Sequence, residues 1–355
     1  MGVLNFTKTF RADNDKITLE NLAGKRFAID MMGEIWRAAL GAKKVAALTD
    51  SEGKPTMHIS VILSNLLEYK QFGISIICCF DHDDRGGNAE FHNTAKHEEV
   101  AKRRQIRAAV NQQINQLRNA ATTRTSKITL TDAEQTEITS SNTTEAKIQQ
   151  LEKRAFVVTK DMIDDIKFIL NCLNIRHVDA PAGYEGEYMC VLLEKHGLVD
   201  GVMSCDTDPV PFGAKNFYKR NPAKGTKKTF SHYSQANILE QIDITGDRRP
   251  TIDDIRKICV LLGCDFAPKY KGLGPKTIIK KYRTAPMNAL RARAVAHFAQ
   301  ELEAVPPIIN SDKQAFVSVQ LPDLLDWLVE VKSFTRSRLI AKFEKAGLSV
   351  LVGQT

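Results

Sequence analysis

Seven acidic residues stand at the ends of apolar runs or just after them, and that placement constrains the fold more than any other feature of the chain. Asp30 closes Arg26-Phe27-Ala28-Ile29-Asp30, and Asp81 closes Ile74-Ser75-Ile76-Ile77-Cys78-Cys79-Phe80-Asp81. Glu185 and Glu187 follow Asp179-Ala180-Pro181-Ala182-Gly183-Tyr184. Asp206 and Asp208 close the run from Gly201, and Asp265 closes the run from Ile258. A carboxylate beside a buried strand is costly unless a cation sits near it. Several converging carboxylates would repel one another and require a divalent metal. An all-oxygen site of this kind suits Mg²⁺ or Mn²⁺.

The rest of the chain is consistent with a soluble globular protein. A chain of 355 residues can bury a substantial core, in one large domain or two intimate ones. No apolar run is long enough to span a membrane, and the N-terminus lacks a secretory apolar segment. The seven cysteines show no CxxC pair, and most lie inside apolar runs. That points to reduced core cysteine in an intracellular protein rather than to disulfides or zinc. A formal net charge of +8 is a weak pointer to nucleic acid until its clustering is considered.

The order of elements reads β/α, then a long insertion, then β/α again, then α. Phe27–Asp30 reads as a strand leading into a helix over Met31–Leu40. Helical spacing covers His58–Tyr69, and Ile74–Phe80 reads as a parallel strand covered on both faces. The segment from His82 to about Lys153 is polar; its basic half reads as helix and its Thr/Ser-rich half, Thr122–Thr144, as a loop at the tip. Helical spacing returns at Met162–Leu173, with strands at Ile175–Val178 and Val199–Cys205 around a helix at Tyr188–His196. Thr251 is a natural N-cap for a helix ending at Leu262, and later helices are expected at Thr277–Tyr282, Met287–Leu302 and Leu321–Val331.

Taken alone, each acid reads as an ordinary helix cap, and Asp30 before Met31 fits that role. The set reads differently, because ligands of open α/β sheets gather beyond the carboxyl ends of the strands. Glu185 and Glu187 can converge only if they straddle a helix start, since i and i+2 diverge within a helix. Such a cluster can hold two Mg²⁺ ions roughly 4 Å apart, clamping both oxygens of an in-line phosphodiester displacement.

These motifs, in this order, resemble the flap endonucleases of the xeroderma-pigmentosum-G structure-specific 5′-nuclease family. Met1-Gly2-Val3 resembles the family's start, and Phe27–Asp30 and Cys79–Asp81 its first two acidic motifs. Asp179–Glu187, Asp206–Asp208 with Phe212-Gly213, and Leu261–Asp265 with Gly272-Leu273-Gly274-Pro275-Lys276 resemble the remainder. The resemblance covers roughly residues 1–345. It implies an α/β fold: a PIN-like nuclease sheet with a helical arch insertion and a C-terminal helical helix-hairpin-helix region. The corresponding segments are residues 1–84 and 156–266 for the two nuclease halves, 85–155 for the arch, 267–345 for the C-terminal helices and 346–355 for a tail. It further implies that Asp30, Asp81, Glu185 and Glu187 serve mainly a first Mg²⁺, and Asp206, Asp208 and Asp265 mainly a second, with Mn²⁺ able to substitute. The implied activity is 5′ flap endonuclease and 5′→3′ exonuclease cleavage of DNA in replication and repair.

The basic residues are read against that resemblance. Lys96, Lys102, Arg103, Arg104 and Arg107 read by charge alone as a solvated helix face. The resemblance makes them an arch enclosing a 5′ single strand, with Lys96, Lys102 and Arg103 as catalytic candidates and Arg104 and Arg107 as DNA contacts. A Gly-Lys-Pro-Pro stretch of the family is replaced here by His82-Asp83-Asp84-Arg85-Gly86. Gly272 to Lys276 reads as a tight turn opening a helix, whose backbone N–H groups can grip a phosphate. Gly272, Gly274 and Lys276 are therefore DNA-binding candidates. The family holds K⁺ at this turn behind a serine, where this chain has Lys269-Tyr270-Lys271. Lys219, Lys227 and Lys228 belong to a basic stretch that reads either as a solubilising loop or as a hairpin on DNA. Gly2 and Trp36 complete the set; Trp36 matches the family's base-stacking aromatic, and its bland reading is a core tryptophan.

Two alternatives stay open: a nuclease of the same fold directed at junctions, bubbles or RNA, and an inactive nucleic-acid-binding scaffold. The seven acids weigh against the second. The expected partner is DNA bearing a 5′ flap, nick or gap, bound by a monomer with no membrane association. Leu348–Thr355 lacks the Gln-x-x-aliphatic-x-x-aromatic-aromatic pattern, so sliding-clamp docking by that route is not expected. An intracellular location, in the nucleus or at cytoplasmic replication sites if the source is a large DNA virus, is the corresponding expectation.

Overall fold

A computed structural model describes residues 2–40, 49–82, 94–125, 134–222, 228–243, 248–310 and 321–348, with the side chains of 94–100, 121–125 and 134–143 outside the description. In chain order the first elements are α1 (Phe6–Thr9), β1 (Asn14–Thr18), β2 (Arg26–Asp30), α2 (Met31–Leu40), α3 (Met57–Gln71) and β3 (Ser75–Phe80). Two long helices follow, α4 (Thr94–Thr125) and α5 (Glu134–Ala155). Next come α6 (Lys160–Cys172), β4 (Arg176–Asp179), α7 (Gly186–Lys195), β5 (Gly201–Ser204), α8 (Pro209–Phe212), β6 (Asn216–Arg220), β7 (Thr229–Ser234) and α9 (Gln235–Ile242). The chain continues through α10 (Ile252–Leu262), α11 (Pro275–Lys281), α12 (Ala289–Phe298), α13 (Leu321–Asp326), a π-helical turn at Trp327–Val331 and α14 (Arg336–Lys345).

The sheet has the order β1-β7-β6-β5-β2-β3-β4. Strands β2 to β6 run parallel, whereas β7 and β1 add an antiparallel edge. Parallel strands covered on both sides favour apolar residues on both faces, which is why the centres of β2 and β3, Phe27–Ile29 and Ile76–Phe80, are apolar runs. Their side chains part between two cores. Ala28, Ile77, Cys79, Val202 and Phe217 face α7, α8, α10 and α12. Phe27, Ile29, Ile76, Cys78, Phe80 and Met203 face α2, α3, α6, α13 and α14.

The 267–345 segment therefore does not sit as one body. Helices α11 and α12 lie with the first core, and α13 and α14 with the second. The connection between them passes the β4 edge, where Ile309 N–H donates to His177 O at 2.8 Å. Covering an edge in this way removes a strand that could pair with another chain. Leu348 is buried in the second core, so residues 346–348 are not tail, and 349–355 lie outside the described residues.

The insertion differs from its expected form. The Thr/Ser-rich half is largely helical: α5 packs antiparallel-fashion along α4 as a helical pair, and only 126–133 separate them. A thin seam of Val110, Ile114, Leu117, Ile148, Leu151 and Ala155 holds the two together. That seam supplies the apolar burial that Thr- and Ser-rich helices lack on their own.

Candidate active site

Strand order reverses beside β2: β3 lies on one side of it and β5 on the other. The crevice beyond the carboxyl ends of such strands is where ligands bind in open α/β sheets. Asp30 ends β2, Asp81 follows β3, and Asp206 follows β5, so all three acids stand at this crevice. Asp30 does cap its helix, accepting from Met32 N–H and Gly33 N–H at 3.0 Å each. The capping and metal readings are thus compatible, because the carboxyl is also buried among other acids. Burial first, then the charge of Asp81 and of Asp206, pushes its pKa well above the ordinary range, against those two N–H groups.

Glu185 and Glu187 converge by the device their spacing requires. Glu185 is the N-cap of α7 with extended backbone, and Glu187 lies in the first turn. Gly186 between them packs on the end of β3. A Cβ there would lie 3.2 Å from Cys79 O and 3.3 Å from Asp81 N, and its N–H donates to Asp81 Oδ1 at 2.7 Å. Desolvation, followed by Asp206, Asp30, Asp208 and Glu185, raises Glu187 well above a normal glutamate.

Asp206 and Asp208 flank Thr207, whose Oγ1 accepts from Val3 N–H at 2.8 Å. Leu4 N–H donates to Gly263 O at 2.8 Å, so the N-terminal segment is stitched between the two acidic motifs. Gly2, at φ +84°, lies against the site: a Cβ on it would fall 1.6 Å from Asp206 Oδ1. Asp208 is buried, and its Oδ1 has no hydrogen-bond partner among the described residues. Burial, Asp206, Asp265 and Glu185 in that order raise its pKa. Asp206 is raised by burial and by Asp265, against the Thr207 N–H and the Lys219 charge.

The acids therefore feel one another as a single cluster. Among the described residues, however, no three His, Cys, Asp or Glu side chains close to metal-ligand spacing. Like charges repel at short range, so converging carboxylates call for positive charge between them. The residues fit a divalent cation on two grounds: every donor is a hard carboxylate oxygen, and a buried, unpartnered Asp208 oxygen faces the cluster's other acids.

Cationic groups approach from the arch. Arg103 donates to Asp265 Oδ2 at 2.6 Å. Lys102 and Arg104 are exposed beside it. Arg107 is half-buried, its pKa lowered by burial and then by the charges of Arg103 and Arg104. Lys96 lies in α4, and its side chain is outside the described residues.

Residues 174–265, which hold Glu185, Glu187, Asp206, Asp208 and Asp265, match the model of the XPG I-region. The flap endonuclease 1 of Glycine max is 26% identical over 367 residues, covering 97% of this chain and 86% of that protein. Over residues 174–265 the chain is thus similar to the XPG nucleases. Its fold is similar to flap endonuclease-1 from Methanococcus jannaschii, with a TM-score of 0.65 at 18% identity over 97% of this chain and 98% of that one. It is also similar to human GEN1 in complex with Holliday junction DNA, at TM-score 0.62 and 15% identity over 97% of this chain and 77% of that one.

Other XPG-motif residues fall in differing surroundings. Gly272 (φ +85°) and Gly274 sit in open space, with Lys276 exposed. Gly274 is the N-cap of α11 and Pro275 its first residue, as the turn reading expects. Trp36 is half-buried on α2, six residues past the Asp30 cap. Lys219 turns inward: its Nζ donates to Cys205 O at 2.6 Å, next to Asp206. The expected hairpin forms from β6 and β7, but Lys228 is engaged by Asn65 and Glu68 of α3, and Lys227 lies outside the described residues. Sequence reasoning missed His297, whose Nε2 lies 3.1 Å from Glu185 Oε2 across 112 residues. Nothing in its local sequence signals that contact.

Proposed function

We propose that the chain is a structure-specific 5′ nuclease that cuts DNA flaps with two divalent cations, Mg²⁺ by preference and Mn²⁺ as a substitute. The observation that carries this reading is the cluster of mutually raised carboxylates at the strand-order reversal, with a cationic arch helix closing on it through Arg103. Asp30, Asp81, Glu185 and Glu187 would hold one ion, and Asp206, Asp208 and Asp265 the other. When bound, the ions supply a water nucleophile at neutral pH and positive charge for the leaving oxygen. The chain's own residues do the rest. Gly186 fixes Glu185 and Glu187 against Asp81, and the N-terminal segment fixes Asp206. Arg103, released from Asp265, would offer its guanidinium to the scissile phosphate, where charge develops. Lys102 and Lys96 would add to that field. Lys276 and the Gly272–Gly274 turn would hold duplex phosphates, and such contacts give affinity and salt dependence rather than sequence reading. Trp36 would stack on a base near the cut, worth ~1–3 kcal/mol.

A second reading, a junction-directed nuclease, draws on the likeness to GEN1. A panel of labelled 5′ flap, nicked, gapped, bubble, four-way-junction and RNA-flap substrates in Mg²⁺ separates the two. Fastest cutting near the base of the 5′ DNA flap supports flap specificity. Fastest cutting of the four-way junction assigns the junction role instead.

A further inference from the structure

We propose that His297 of α12 is a positioning residue for the metal centre, holding Glu185 in its ligating orientation. The inference rests on the nuclease reading above and adds to it a residue from outside the acidic motifs. His297 is 1% exposed, and its Nε2 lies 3.1 Å from Glu185 Oε2. As a metal ligand Glu185 is ionised and only accepts, so in that state Nε2 carries the hydrogen and donates.

The ring's orientation is fixed by aromatic neighbours. Its centroid lies 4.1 Å from that of Phe266, 5.5 Å from Phe212 and 5.4 Å from Phe298. Two of those neighbours carry meaning. Phe266 directly follows Asp265, and Phe212 ends the short α8 that begins after Asp208. One imidazole thus touches the backbone neighbourhoods of two acidic motifs and hydrogen-bonds a third. A purely structural histidine would need only some buried acceptor; this one takes the carboxylate that lies 15% exposed at the mouth of the cluster.

The physical role follows from Glu185's position. Glu185 is the N-cap of α7 but makes no side-chain cap bond, so capping does not orient its carboxylate. How a carboxylate is presented to a metal depends on the groups that hold it from other elements. His297 supplies that hold from α12, a helix that also packs against the arch helix α4. Groups that orient a metal ligand from behind change metal affinity or activity about 10–100-fold when removed.

The test is Mn²⁺ binding to the full-length, DNA-free protein, followed by electron paramagnetic resonance of free Mn²⁺, with wild type beside His297→Phe and His297→Gln. Phe keeps the aromatic packing and loses the donor; the Gln amide nitrogen can stand in for Nε2. The expected result is Mn²⁺ affinity about 10–100-fold weaker in His297→Phe and recovery toward wild type in His297→Gln. Single-turnover flap cleavage should show the loss in kcat with KM for DNA unchanged. If His297→Phe does not fold, His297→Asn, whose shorter amide falls away from Glu185, takes its place in the same comparison. A folded donor-free variant that binds Mn²⁺ as tightly as wild type overturns the assignment while leaving the nuclease reading intact. A wild type that binds no Mn²⁺ at all overturns both.

Discussion

Arg103 of the arch helix α4 and Asp265, three residues past the end of α10, form an ion pair at 2.6 Å, joining residues 162 apart in sequence. Their side chains are 46% and 27% exposed, so the pair contributes little to stability, about 1 kcal/mol or less. Its consequence is positional: an arch cation rests at the mouth of the acidic cluster. Arg103→Ala should lower single-turnover flap cleavage about 10²–10³-fold, as loss of one transition-state charge partner does. Thermal denaturation should scarcely move. Wild-type cleavage by the variant would remove Arg103 from the reaction.

Gly2 occupies space that no side chain can share with Asp206. A Cβ at 1.6 Å from Asp206 Oδ1, on backbone at φ +84°, forces either the carboxylate or the N-terminal segment to move. Misplacement of about 1 Å can cost about 10²-fold in rate. Gly2→Ala is therefore expected to lose about that much in kcat. Equal rates for the two proteins would show that Asp206 tolerates displacement.

The acidic cluster was legible because its physics is local. A parallel strand buried on both faces must read as an apolar run, and a carboxylate ending such a run stands out, as Asp30 and Asp81 do. The convergence of Glu185 and Glu187 was legible as a requirement, and the α7 N-cap meets it. The helical Thr/Ser-rich half of the arch was not, because its seam uses only Ile148, Leu151 and Ala155 on α5 against Val110, Ile114 and Leu117 on α4. So narrow a stripe is lost in polar sequence. The edge strand β1, Asn14-Asp15-Lys16-Ile17-Thr18, is polar for the same reason, since its burial pattern is mostly exposed. Tertiary pairing invisible in sequence decided Lys219, Lys228 and His297, each of whose partners comes from another element.

Mutual repulsion makes the cluster a source of instability when no metal is present. Asp208 is buried with an unpartnered Oδ1 and neighbours of its own sign. Asp208→Asn should raise the Tm measured in EDTA, by an amount corresponding to about 1 kcal/mol. Mg²⁺ stabilises whichever form it binds by mass action, so the Tm rise on adding Mg²⁺ should be clear in wild type and much reduced in the variant. Equal Mg²⁺-induced shifts would place the ions away from Asp208.

Away from the site, Asp165 lies 2.9 Å from Lys332 Nζ and 3.3 Å from His58 Nε2. Burial raises its pKa, but His58 and Lys332 outweigh burial and hold it below 3.8. The unfolded chain then binds this proton first, so the stabilisation is complete above about pH 4 and is lost as pH falls through the lower folded value. Asp165→Asn should cost about 3 kcal/mol at neutral pH. Its deficit against wild type should narrow as the pH drops below about 4, measured by urea unfolding across that range. A deficit that stays constant with pH would show that Asp165 contributes through packing alone.

The most direct test of a metal-dependent nuclease centre is cleavage of a 5′-labelled flap duplex in Mg²⁺ by wild type beside Asp208→Ala. Cuts near the flap base by wild type, abolished both by EDTA and in Asp208→Ala, are the expected result. Tight flap binding with no cleavage by wild type in either Mg²⁺ or Mn²⁺ would contradict the nuclease assignment and leave a nucleic-acid-binding scaffold.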